Sequence, residues 1–167
     1  MPPTKVAKPK ADKRYLVIRD SREKEGHGWW FSESEACRGT EVRALKTGDY
    51  TIAGYEEKVT IDRKGSVSEF ATNLMEARFE RELERMADFE LAVVLLEFDV
   101  EEFLRWPVGS DIPKARQRKM RLNGRVLMAK LWEMKLKYPY VDFFFAGASG
   151  KQAAASLFKR VSQKRAA

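Results

Sequence analysis

The chain has one cysteine and one histidine in 167 residues. With Cys37 alone, an intrachain disulfide and a thiolate metal cage are both excluded, and a reducing compartment is expected. His27 has no second histidine to join it, so neither a His-based zinc site nor a Ser-His-Asp triad finds convincing company. Long hydrophobic runs are missing too. The longest, residues 91–96 and 143–148, are far too short to span a bilayer, and residues 1–14 contain no apolar core of a secretion signal. The expectation is a soluble intracellular protein, cytoplasmic and nucleoid-associated in a prokaryote or virus and nuclear in a eukaryote. No internal repeat marks a solenoid.

Charge, by contrast, is plentiful: 32 Lys and Arg against 25 Asp and Glu, for a net +7. The basic groups concentrate in residues 1–14, 114–125 and 151–167, which leaves the body of the chain acidic. Basic ends and a basic loop around an acidic body suit a protein that grips a polyanion while gathering carboxylates around a metal. Ordinary solubilising charge is the competing explanation. The length suits one domain. Residues 1–14, with Pro2, Pro3 and Pro9 among lysines, read as a flexible basic arm, residues 15–162 as the domain, and residues 163–167 as a basic tail.

Periodicity predicts strands over residues 15–19, 40–45, 49–53, 58–64, 91–98 and 141–146, with Gly54 opening a hairpin between the third and fourth. One long helix is expected from a cap at Ser66 or Ser68 to about Met86. Further helices are expected over 122–137 and 151–161, with a basic loop over 107–125. Strands followed by alternating helices and strands indicate an α/β fold.

Alternation along residues 58–64 puts Asp62 and Lys64 on one face and Arg63 on the other. A carboxylate and an ammonium so placed suit a divalent cation and a developing phosphorane charge, although a cross-strand ion pair explains the triplet alone equally well. The hairpin changes the balance by returning Asp49 beside Asp62. Two carboxylates held together raise each other's pKa unless a cation neutralises them, which argues for Mg²⁺ or Mn²⁺ on oxygen ligands. Asp20 and Glu23 add carboxylates from the end of the first strand. Trp29 and Trp30 suit packing, a dimer surface or stacking on unpaired bases. The tract Lys114, Arg116, Arg118, Lys119 and Arg121 is expected to contact DNA phosphates.

The series Asp20-Ser21-Arg22-Glu23, Gly48-Asp49-Tyr50 and Asp62-Arg63-Lys64 resembles the motifs of the XPF-type nuclease domain, a branch of the PD-(D/E)XK restriction-enzyme-like fold. The likeness covers residues 15–162. It implies a central mixed sheet flanked by helices and metal-dependent cutting of flapped or branched DNA near duplex/single-strand junctions. It also implies a homodimer or heterodimer. By this resemblance Asp49 and Asp62 are metal ligands, and Asp20 and Glu23 complete the metal environment. Lys64 positions or activates water, Arg22 and Arg63 contact phosphate or brace carboxylates, and Arg78 and Glu97 support the site.

Three departures accompany the likeness. Asp62 stands where the family usually has Glu, and Ser68 stands where an acidic residue is expected four positions after the lysine. The tandem helix-hairpin-helix modules of many relatives have no counterpart in this sequence. The alternative expectation is a catalytically silent nuclease fold that binds DNA and recruits or pairs with an active subunit. A third is an RNA-binding or scaffold protein with merely electrostatic basic segments.

Overall fold

The computed structural model describes residues 11–165, so residues 1–10 of the expected arm and 166–167 of the expected tail lie outside the described residues. Six strands form one sheet: β1 Tyr15–Asp20, β2 Cys37–Arg43, β3 Tyr50–Ile52, β4 Val59–Lys64, β5 Leu91–Leu96 and β6 Val141–Phe145, in the order β2-β1-β3-β4-β5-β6. The sheet is mixed. β3 runs antiparallel to both β1 and β4, while β1–β2, β4–β5 and β5–β6 are parallel. The apolar run of β5 is explained by its central position, since a strand covered on both faces has no reason to alternate. Ala92, Val94 and Leu96 join one core, and Val93 and Leu95 join the other.

Helices α1 Val67–Leu74, α2 Ala77–Met86, α3 Val100–Arg105 and α5 Gly124–Lys137 cover the first face. The long α6, Gly150–Arg165, packs with Trp29 and Phe31 on the second. A short α4, Lys114–Gln117, lies within the expected basic loop. Among the described residues no helix is long and apolar enough to cross a membrane.

The single helix expected up to Met86 is two helices. Met75 ends the first and Glu76 is extended, at φ −102° and ψ 131°. The reason is geometric: nine residues at about 100° each put Phe70 and Phe79 on opposite sides of a continuous helix. The break returns both to one core, with ring centroids 5.9 Å apart. Ser66 is the cap, accepting from the Glu69 amide at 3.1 Å, while the Glu69 carboxylate accepts from the Gly65 amide. α3 escaped the periodicity reading because six residues are too few to show a helical stripe; Asp99 caps it through the Glu102 amide at 2.7 Å. α6 runs on through the first part of the expected tail to Arg165.

One glycine controls how closely two strands approach. Gly48, at φ +77°, enters β3 with its α-carbon against β4, and a Cβ there would overlap the Thr60 hydroxyl and press on the Ile61 carbonyl. Only glycine meets both the backbone and the space requirement.

Candidate active site

The β3–β4 pairing sets Tyr50 opposite Ile61. Just before it, the Asp49 amide donates to the Ile61 carbonyl at 2.8 Å, and the Asp49 carboxylate accepts from the Arg63 amide at 2.7 Å. Asp49 is thereby fixed beside Asp62, as the hairpin reading expected. Along β4 the alternation also holds. Asp62 Oδ2 and Lys64 Nζ lie 2.9 Å apart with side chains only 4% and 8% exposed. That contact is an ion pair off the line of a hydrogen bond, and Asp62 Oδ2 accepts no hydrogen bond among the described residues. Lys64 Nζ also sits 5.1 Å from the ring centroid of Phe79 on α2.

Burial and the neighbouring Asp62 charge push Asp49 well above the usual carboxylate range. Burial disfavours charge on Lys64, but the carboxylates of Asp62, Glu82 and Asp49 outweigh it and hold its pKa above the ordinary lysine value. Glu82, one turn beyond Phe79 on α2, was missed by sequence reasoning. Burial first and Asp62 second push its pKa up to about 7. Its signal is present in the helical spacing, which puts Arg78, Glu82 and Arg85 on one face.

Arg63 points through the sheet to the other core. Its guanidinium meets the Glu23 carboxylate at 3.1 and 3.3 Å and Glu97 at 2.6 Å, and Trp29 Nε1 donates to the other Glu97 oxygen at 3.2 Å. Glu97 thus braces Arg63. Asp20 is similarly engaged: one oxygen accepts from the Leu45 amide at 2.8 Å, the other from Arg22 Nε at 2.9 Å, and Arg22 donates again to the Leu45 carbonyl. Asp20 and Glu23 brace the frame through these bonds, although each of their oxygens keeps a second lone pair, and Asp49 and Asp62 are the adjacent carboxylates at the floor.

These groups line a cleft of about 530 Å³ whose walls are the loop after β1, the turn before β3 and helix α2. Asp20, Arg22, Glu23, Asp49, Asp62, Arg63, Lys64 and Arg78 all contribute to its lining, Arg63 although its guanidinium turns to Glu23 and Glu97. Lys114, Arg116, Arg118, Lys119 and Arg121 do not. They are exposed, and among the described residues none forms an ion pair. Trp29 is packing, tilted against Tyr50 with ring centroids 4.8 Å apart, whereas Trp30 is half exposed above Arg19.

The floor fits a hard divalent cation. Its donors are oxygens, two of them on adjacent like-charged carboxylates, and one buried oxygen accepts no hydrogen bond. Among the described residues no three Asp, Glu, His or Cys side chains converge into a closed cage. Mg²⁺ seldom uses one, binding instead through one or two carboxylates with waters and substrate phosphates.

The sequence matches the ERCC4 domain family over residues 19–155. The fold is similar to that of XPF from Aeropyrum pernix, with a TM-score of 0.59 at 21% identity over 90% of this chain and 66% of that one. A second structure, XPF from Aeropyrum pernix in complex with DNA, gives 0.55 at 20% identity over 91% and 66%. No curated protein matches.

Proposed function

Since this chain belongs to the ERCC4 domain family, we propose that it is a Mg²⁺- or Mn²⁺-dependent endodeoxyribonuclease that cuts flapped or branched DNA near duplex/single-strand junctions. The observation that carries this reading is the packing of half-buried Asp49 beside buried Asp62 and Lys64 at the floor of an open cleft. A silent binding module gains nothing from a like-charged pair that raises its own pKa.

Asp49 and Asp62 are the proposed metal ligands. When bound, the cation supplies Lewis-acid polarisation of the phosphate and activation of the attacking water. Lys64, held charged by its carboxylate neighbours, donates toward the non-bridging oxygens and stabilises the negative charge that grows there. The water oxygen bonds to phosphorus as the bond to the leaving sugar oxygen breaks. Water gives up a proton and the leaving oxygen takes one up. Arg63 acts at a distance: with Glu23 and Glu97 it fixes the backbone between Asp62 and Lys64, and its amide holds Asp49. Asp20 and Arg22 brace the turn that leads to Gly48 through Leu45.

The test is cleavage of labelled flap, splayed, nicked and linear duplex DNA with Mg²⁺, with Mn²⁺ and with chelator, by wild type and Asp62→Ala. Metal-dependent cutting lost in the variant is expected. Binding without cutting by wild type under every metal condition would overturn the enzyme in favour of a recruiting module.

The proposal includes a homodimer, supported by exposed apolar side chains on α5 and along the sheet edge. Leu127 and Leu131 are core, but Trp132 and Leu136 on α5 and Tyr140 and Phe144 at the edge strand β6 are 60%, 80%, 79% and 52% exposed. Light scattering should give twice the chain mass, and Leu136→Glu the single mass. A monomeric wild type at micromolar concentration removes the dimer.

A further inference from the structure

The catalytic floor is acidic, so a phosphate approaching it is repelled unless cations stand at the rim. Four do. Lys24 and Lys46 lie on one wall of the cleft, in the loop after β1 and the turn before β3, and Arg78 and Arg85 lie on the other, along α2. All four are exposed, and among the described residues none of them forms an ion pair, although carboxylates line the same cleft.

The two walls are built to hold these charges in place. Seven residues on a helix return to the same face, so Arg78 and Arg85 point the same way about 10 Å apart along the axis. That is about three steps of a DNA strand at about 3.4 Å each. The opposite wall is a loop, and a free loop would let a lysine sweep widely. Arg19 prevents this. Only 2% exposed, it donates to the carbonyls of Lys24 at 3.0 Å and His27 at 2.6 Å, with the Trp30 ring 4.6 Å over its guanidinium. A buried cation therefore tethers the backbone of an exposed one.

We infer that the reacting DNA strand runs through the cleft between these walls, its phosphates held by Lys24 and Lys46 on one side and by Arg78 and Arg85 on the other. The tract from Lys114 to Arg121 is a separate contact outside the cleft. This rests on the reading of the chain as a DNA-processing protein, but it does not require that the chain cut.

Binding is measured by anisotropy of a labelled flap oligonucleotide in chelator, over a range of salt, with the full chain. Neutralising one wall (Lys24→Gln with Lys46→Gln, or Arg78→Gln with Arg85→Gln) should weaken binding. It should also lower the salt slope by about 1.4–1.8, since each of the two phosphate contacts contributes about 0.9 in duplex and about 0.7 in single strand. Lys24→Arg with Lys46→Arg should bind as wild type, and unchanged thermal melts show that the glutamine variants fold. Wild-type affinity and slope in the quadruple glutamine variant would overturn the inference, as would loss confined to variants of the 114–121 tract. Because the readout is binding in chelator, a chain that binds through the rim and never cuts defeats the nuclease and leaves this site standing. A chain that cuts while its rim variants bind as wild type does the reverse.

Discussion

Asp62 and Arg63 are neighbours on one strand, yet they live in opposite electrostatic worlds. On the face toward α2, Asp62, Asp49 and Glu82 crowd together with Lys64 as the common cation, and two of the acids are held far from their ordinary titration range. On the face toward Trp29, Arg63 meets Glu23 and Glu97 through hydrogen bonds that use both ends of its guanidinium. The first face leaves charge uncompensated, which is how a site keeps room for a cation and a phosphate. The second satisfies every partner, which is how a site keeps its frame. Perturbed acids in a cleft point to function, and a satisfied network points to architecture.

The strongest way to break this comparison is Arg63→Met. It leaves Glu23 and Glu97 partly buried without a counter-charge, so stability should fall by about 3–5 kcal/mol, read as a lowered denaturant midpoint. A midpoint within error of wild type would show that Arg63 is not structural. Lys64→Arg should act in the other sense: it keeps a cation beside Asp62, so the midpoint moves little, while cleavage falls by about 10²–10³-fold because the larger guanidinium no longer presents its charge where the ammonium did. Equal losses of activity and stability in both variants would erase the distinction between the faces. The smallest expected effect sharpens it. Glu82 has its folded pKa raised to about 7, so the folded state favours the protonated acid and loses stability as pH rises from the ordinary glutamate value through 7. Glu82→Gln, melted without metal, should therefore gain a few degrees at pH 8, at about 2–4 °C per kcal/mol, and show little difference at pH 4. A gain as large at pH 4 would assign the effect to packing.

Much of this was legible in the sequence because strand alternation and hairpin return are local rules. They placed Asp62 and Lys64 together and Asp49 beside them. The broken helix was legible too, had the nine-residue step from Phe70 to Phe79 been taken as an angle. What local rules do not carry is which distant partner a side chain meets. Glu23 reads as one more carboxylate near the metal until the loop after β1 closes and delivers it to Arg63, 40 residues on. The richest basic tract likewise drew attention to residues 114–121, while the four cations at the cleft rim are divided among three elements.

Gly48 gives the acidic face a mechanical property. Its missing side chain allows β3 to sit hard against Thr60 and Ile61, with the Asp49 amide bonded to the Ile61 carbonyl. The separation of the two backbones that carry Asp49 and Asp62 is consequently fixed, and their carboxylates can adjust only by turning about side-chain bonds. If the pair holds a cation as proposed, it would work as a gauge, in which a larger ion meets its limit once those rotations are used up and the strands themselves would have to part.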